Sequence, residues 1–435
     1  MRVLHEGKRV VSVQPSLLHF NFNIYGGVMS KELSVNILLG DCDMSSPHFY
    51  LRPDLNSVWQ RLRENHPIIW HHELGDKPGF WVVTSYQEAV SIYKNSEVFS
   101  SSKGNIMDTL LYGGDTAGGQ MLPVSDGERH SKLRKAILSY FTSSKLLQIK
   151  IKIERDLCDI LKNVVERKEF DFAEEVSNLV PILTICEIFG VPVADRKFLY
   201  ANASKCISSK HVSSQKNESL MARNELLMYF LRFYKSQKKD QSHSDDLMNY
   251  LIGLCDSDIK MTQEELVYNC YSLLLGGDET TRLTLTGLCK LICDFPKLWE
   301  DIKEERINLS IASNEVLRWT SVARHAGRTV MMTHDLSGQR IECGELVFVF
   351  NCSANFDENV FLEPSRPDLG RAPNKHLSFG YGAHFCLGAN LARIEIEALI
   401  SAMRVLINDI KIISPPQPVY STFLSGFHSL PVRVS

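Results

Sequence analysis

The 435-residue chain lacks several features that would direct it elsewhere. Its eleven cysteines include no C-x-x-C pair, and no cysteines and histidines recur at zinc spacing. An odd count scattered along a long chain, with no signal peptide, argues against a disulfide scaffold and for a reducing cytoplasm. Most of these cysteines are expected to behave as small buried hydrophobes. Charge of one sign is also scarce: the formal net charge is -3, too little to draw the chain to nucleic acid or an anionic membrane. No apolar run is long enough to span a bilayer. The stretch SLLHFNFNIYGGV near the N-terminus is interrupted by His19, Asn21 and Asn23, and it makes a poor signal-peptide core. There is no Pro/Gly-rich linker and no internal repeat.

What is present is ordinary globular composition, 44% hydrophobic and 23% charged, with ample length for a large core. Residues 1–28 read as an extension outside the fold. Gly26-Gly27-Val28-Met29 could be encoded by codons resembling a ribosome-binding site, which makes Met29 the expected start. Residues 29–435 read as one domain.

Helical spacing recurs along most of it. Pro53–Asn65 places Leu55, Val58, Trp59 and Leu62 on one face. Two β-rich runs within 67–86 flank Gly75–Gly79 as a hairpin. Helices are expected over 87–95, 127–140 (capped by Asp126 or Ser125), 145–166, 176–190 and 220–237, with polar loops at 208–219 and 235–246. The longest helix should run from Thr262 to Cys293, opened by a Thr262/Glu265 capping box. After about residue 328 short strands and turns take over, and a last helix is expected from Cys386 to about Leu406. The fold class is therefore mainly α with small β-sheets.

Four constellations carry chemistry. FGYGAHFCLG, residues 379–388, sets Cys386 among glycines at the start of the last helix. Free N–H groups and the positive end of the helix dipole stabilise a thiolate there. Gly388 keeps a side chain from crowding whatever lies over the sulfur. Such a loop presents an anionic sulfur as a metal ligand or as a nucleophile. Glu315 and Arg318, at i and i+3, can pair. GGDETT, 276–281, puts two glycines in mid-helix, each costing ~1 kcal/mol relative to alanine. His130 and Arg134 share one helical face, and Arg328 and His384 add two further cationic or donor groups.

Together these resemble the cytochrome P-450 superfamily, and FGYGAHFCLGANLAR resembles its soluble bacterial branch. The resemblance covers roughly 50–435 and is most specific from 315 onward. It implies the P-450 fold, with the long central helix over a haem b. Cys386 becomes the proximal ligand of haem iron, with Phe379 packed near the ring and the sulfur. His130, Arg134, Arg328 and His384 become propionate partners. Arg371 joins Glu315 and Arg318 in a structural trio. Gly276 marks a local opening of the helix beside the oxygen-binding space. Thr280 and Glu279 become the hydroxyl and acid that deliver protons for O–O cleavage, although many relatives carry aspartate at the acid position. Arg366 stands where relatives often have an acid.

The activity implied is insertion of one atom of dioxygen into a small organic substrate, by hydroxylation or epoxidation, as a tailoring step in bacterial secondary metabolism. The alternatives are oxidative coupling, nitration or peroxygenase chemistry on the same haem, or a non-catalytic haem or gas sensor. Electrons are expected from NAD(P)H through a separate ferredoxin or flavodoxin and its reductase, docking near Arg129, Lys132 and Lys135 on a monomer. The substrate pocket is expected to include Leu273, Val322, Arg324, His325, Phe423 and Leu424. Arg324-His325 is polar for such a place and would suit a substrate carboxylate if either side chain pointed inward.

Overall fold

Apolar residues at helical spacing fold where the sequence puts them. In the computed structural model, which describes residues 43–207, 215–240 and 244–435, α1 (Leu55–Asn65) buries Val58, Trp59 and Leu62 on one face. Pro53 precedes the helix, which starts after Asp54. The expectations for residues 1–28 and for Met29 lie outside the described residues.

The hairpin forms as β1 (Ile68–His71) and β2 (Phe80–Val83), with Trp70 opposite Trp81. It is followed by α2 (Tyr86–Lys94) and a short strand β3 (Phe99–Ser100). Next come α3 (Gly127–Leu138) and α4 (Ser143–Val165). The strand β4 (Glu169–Asp171), a π-helical turn over Ala173–Ser177, α5 (Leu179–Phe189) and α6 (Val193–Ile207) lead into α7 (Gln215–Asp240). The helix α7 corrects two expected loops: of 208–219 and 235–246, residues 215–219 and 235–240 are helical. At the C-terminal end Lys235, Ser236, Lys238, Lys239 and Asp240 are exposed, so a polar run there is compatible with helix. The remaining positions 208–214 and 241–243 lie outside the described residues.

The longest helix, α8 (Gln263–Asp294), has 32 residues and opens on the expected capping box: Thr262 Oγ1 accepts from Glu265 N, and Glu265 returns a bond to Thr262 N. It is buried on nearly all sides. The helix α9 (Leu309–Thr320) carries Glu315 and Arg318. The strands β5 (His325–Val330) and β6 (Leu346–Phe350) complete a five-stranded sheet in the order β1-β2-β6-β5-β3, parallel only between β2 and β6. The last helix, α10 (Ala389–Leu406), packs along α4 and touches α8 and α9. The strands β7 (Ile410–Ile412) and β8 (Pro431–Val434) join β4 in a second, antiparallel sheet.

Two sequence expectations are corrected here. The last helix begins at Ala389, so Cys386 lies in the preceding loop, not at the first helical residue. The central helix runs unbroken through Gly276 and Gly277. The expected opening there is not seen. Among the described residues no helix is long and apolar enough to cross a membrane.

Candidate active site

One cavity of about 370 Å³ lies between α8, the loop before α10, the start of β5 and the segment around Leu122. Cys386 and Thr280 both line it.

The loop is held in an exacting path. Gly380 and Gly382 both have positive φ, +66° and +71°, and a Cβ on Gly382 would stand 2.6 Å from the Tyr93 carbonyl. Only glycine fits that position. Cys386 N–H donates to Phe379 O at 2.9 Å, which closes the loop on itself. The sulfur accepts a bond from Gly388 N–H and lies near the guanidinium groups of Arg134 and Arg393. Burial nevertheless pushes the free thiol up, more strongly than these groups pull it down. Its side chain lines the cavity. Phe379 lies under Arg393, whose guanidinium carbon is 4.9 Å from the ring centroid, and Arg393 Nε donates to Asn314.

The cations expected near the cavity are there. Arg328 is 4% exposed, yet among the described residues its guanidinium meets the Gly327 carbonyl and the Tyr93 ring and no carboxylate in bonding range. Tyr93 in turn donates to Asn351 Oδ1 at 2.7 Å. Arg134 donates to Phe385 O. His384 bonds Asp126 at 2.8 Å and stacks on His130. Burial, with His384 and Arg134 beside it, lowers His130 to about 4, so it enters the cavity as a neutral ring.

Asp126 stands at the N-cap position of α3 but makes no capping bond with its side chain. It instead accepts from Ser100 Oγ, Ser101 N and Ser102 N as well as binding His384. Burial alone would raise this carboxyl; the bonds from His384, Ser100 and Ser101 hold it at about 2.

A thiol, two arginines without acidic partners among the described residues and donor histidines on one cavity are a donor set that fits a haem: a sulfur for its iron and counter-charges for its propionates. The cradle beside the sulfur is open. A Cβ on Gly388 would only reach ordinary contact with Sγ, at 4.0 Å, and one on Gly276 would meet nothing within 4 Å.

On α8, Thr280 lines the wall and donates to Gly276 O at 2.8 Å. Gly277 has a different reason: a Cβ there would press Ile185 of α5 at 3.3 Å. Glu279 is not on the wall. It is buried and pairs with Arg282, which also donates to Asn178 Oδ1 at 3.0 Å. Burial raises Glu279 and Arg282 opposes the rise. A carboxyl given no role by the sequence does reach the wall. Glu395 of α10 lines the cavity and bonds Thr281 and Thr184, and burial raises it to about 8.

Of the expected pocket residues, Leu273, Val322, His325 and Phe423 line the cavity, together with Asn105 and Ser272. Arg324 and Leu424 do not. Arg324 is turned behind β5 over the Tyr50 ring at 4.8 Å, and Leu424 is buried with Leu283, Val322 and Val419. His325 accepts from Met107 N at Nε2, 3.0 Å, and burial lowers it to about 3. Neither residue offers a cation to the cavity, so the sequence ground for a substrate carboxylate falls away.

The structural trio assembles in full. Arg318 forks onto Glu315 at 2.8 and 2.7 Å, both side chains fully buried, and its remaining N–H groups reach Asn355 O and Pro364 O. Arg371 adds a third bond to Glu315 at 3.1 Å, and Asp368 N and Asn374 Nδ2 add two more. Arg366 serves the same cluster only through its carbonyl, which accepts from Arg371.

Arg129 and Lys132 are less free than a docking patch requires. Arg129 forks onto Glu265 and the carbonyls of Ile259 and Lys260, and Lys132 donates to Asp258 O.

The sequence signals for Asp126, Glu395 and Arg393 were weak. Arg393 stands inside the quoted loop motif, but nothing local shows that it covers Phe379. Glu395 looks like any helix-surface acid until α10 is docked.

Comparison with known proteins agrees with this geometry. A family model described as Cytochrome P-450 matches residues 45–404. The chain is 34% identical over 397 residues to Cytochrome P-450 NovI of Streptomyces niveus, covering 91% of this chain and 97% of that protein. It is 30% identical to a steroid C26-monooxygenase of Mycolicibacterium smegmatis, covering 90% and 96%. Among solved structures it resembles P-450 OxyD, described as involved in the biosynthesis of vancomycin-type antibiotics. That match has a TM-score of 0.81 at 27% identity, over 90% of this chain and 99% of that one. The P-450 PksS of the Bacillus subtilis bacillaene polyketide synthase matches equally well, with a TM-score of 0.81 at 26% identity over 90% and 99%.

Proposed function

This chain belongs to the cytochrome P-450 family, and on that premise we propose that it is a tailoring monooxygenase of secondary metabolism acting on a largely apolar organic substrate. The observation that carries the reading is the convergence of Cys386, Arg328, Arg134 and Thr280 on one cavity. The relatives NovI, OxyD and PksS support the metabolic setting. The catalytic domain is proposed to span 29–435.

The family implies haem iron, and the bound group supplies dioxygen activation through its iron. The chain's own residues do the rest. Cys386 would hold the iron through its sulfur, with the Gly388 N–H, Arg134 and Arg393 favouring the thiolate over the thiol. Arg328 and Arg134 would meet the propionates, with His130 and His384 as donors. Thr280 places a hydroxyl on the distal wall and can turn its proton from the Gly276 carbonyl toward the cavity. Glu279, paired with Arg282 and off the wall, acts on the cavity through helix α8 and not by direct contact. Leu273, Val322 and Phe423 give the substrate apolar surface, while Asn105 and Ser272 offer uncharged polar contacts. A neutral His325 suits a substrate without a carboxylate at that wall.

Electrons are proposed to come from NAD(P)H through a ferredoxin or flavodoxin and its reductase, in the cytoplasm, to a monomer. The exposed Lys135, with Lys132, is the remaining basic contact for an acidic donor. The test of function is a compound screen on the haem-loaded protein, read as the spin-state shift on loss of the water ligand. Each compound that shifts the spectrum is then tried for product with a donor system. Apolar, uncharged compounds should dominate the hits; a hit set made of small carboxylates would contradict the pocket reading.

A further inference from the structure

We infer that Arg324 holds a small monovalent anion at a site outside the cavity, behind the start of β5; the site does not depend on the monooxygenase reading. The ground is the set of charges that the fold buries. Among the described residues five arginines are buried: Arg63, Arg282, Arg318, Arg324 and Arg328. A guanidinium stays charged in a protein, so each needs a counter-charge. Arg63 pairs with Glu358 at 2.9 Å, Arg282 with Glu279, and Arg318 with Glu315 at 2.7 Å. Arg328 lines the cavity, where a haem propionate is proposed to meet it. Arg324 does not line the cavity, so that account does not extend to it.

Its surroundings supply no negative charge. Arg324 is 6% exposed, and its Nε is buried without a partner. The guanidinium carbon stands 4.8 Å from the centroid of the Tyr50 ring. A ring face attracts a cation but does not neutralise it. The Tyr50 hydroxyl donates to Met44 O at 2.8 Å, and burial raises the phenol well above its ordinary value, so the ring is uncharged. Cys352 donates its N–H to Arg324 O at 3.1 Å. Burial pushes its thiol up to about 11 although Arg324 opposes the rise, so it too is neutral. The acids of this region are engaged elsewhere. Asp43 accepts from Ser45 N and pairs with Lys77, and Asp108 accepts from Thr422 Oγ1 at 3.1 Å. Among the described residues no carboxylate pairs with Arg324.

A buried guanidinium left without a counter-charge is costly, and an anion that donates nothing and accepts its N–H groups removes that cost. The charge to be met is single and the side chain is nearly enclosed, which selects a small monovalent ion. The site is one residue from the cavity wall. Arg324 N–H donates to Phe423 O at 2.8 Å, and Phe423 lines the cavity with its ring against His325. An anion here fastens the Tyr50 segment to the strand end that carries this wall. Because only the native fold assembles the site, the anion stabilises that fold by mass action.

The test uses the haem-loaded full chain and chloride as the probe, exchanged against a bulky sulfonate at constant ionic strength so that general screening does not change. The melting temperature of the wild type should rise with chloride along a saturating curve. The NMR line of chloride should broaden in its presence. Arg324→Met keeps an apolar stem for the Tyr50 ring and removes the charge, and it should lose both responses. Equal responses in the two proteins would put the chloride elsewhere, at the haem or on the surface, and overturn the inference. A wild type with neither response would overturn it too, because the charge would then be met within the chain. If Arg324→Met does not fold, Arg324→Lys decides. It must keep a saturating response with a displaced midpoint, and an unmoved midpoint overturns the inference.

Discussion

Cys386 is the single side chain proposed to give the site its chemistry, and its neighbours are arranged to suit that role. Gly382 must be glycine because of both its φ and the Tyr93 carbonyl, and the loop it permits aims the sulfur into the cavity. This much was legible in the sequence, since loop, glycines and cysteine lie within ten residues. Glu395, Asp126 and the Arg393–Phe379 contact were not, because each depends on a partner far along the chain or on how a helix docks. Sequence spacing also could not reveal that Arg324 turns to Tyr50 while its neighbour His325 reaches the cavity. At this scale the clearest prediction concerns Thr280. Replacing it with alanine removes the one hydroxyl at the family's oxygen-activation position, so Thr280→Ala should raise peroxide released per NADPH consumed. Unchanged coupling would take Thr280 out of proton delivery.

The elements position these residues, and α8 does so without interruption. The two glycines serve different ends: Gly276 leaves the cavity open, while Gly277 lets α5 approach. The sequence made the cost of two mid-helix glycines visible but suggested a break in the helix; close packing supplies the reason for one of them instead. Element types were legible wherever apolar spacing was strong, as in α1, α4 and α8. They were not where a helix is polar, as at both ends of α7. The docking of α9 against the loop before Cys386 rests on Glu315, which accepts from Arg318, Arg371, Asp368 N and Asn374. Glu315→Ala would leave the fully buried Arg318 uncompensated and should cost ~3–5 kcal/mol. Chemical denaturation should show that loss together with weaker haem retention. A variant as stable as the wild type would mean that the buried trio contributes little to holding the loop.

For the whole molecule, the buried carboxyls imply a stability profile with two signs. Asp278 and Glu395 are raised, to about 7 and about 8, above their unfolded values of ~4. Their contribution is full below ~4, falls as pH rises from there, and is lost once pH has passed through about 7 and about 8. Asp126, held at about 2, contributes above ~4 and loses its share as pH falls through 2. Melting temperature should therefore decline from mildly acidic toward mildly alkaline pH, and Asp278→Asn should shallow that slope; equal slopes would contradict the raised Asp278. Reversing the charges of Lys132 and Lys135 should slow reduction by an acidic donor and weaken its salt dependence, as stopped-flow reduction at several ionic strengths would show. The central claim, that this molecule holds haem through the Cys386 thiolate, is tested most directly by the spectrum of the reduced carbon monoxide complex. The wild type should give the thiolate-type spectrum and Cys386→Ser should lose it; a serine variant that kept the spectrum would place the ligand elsewhere.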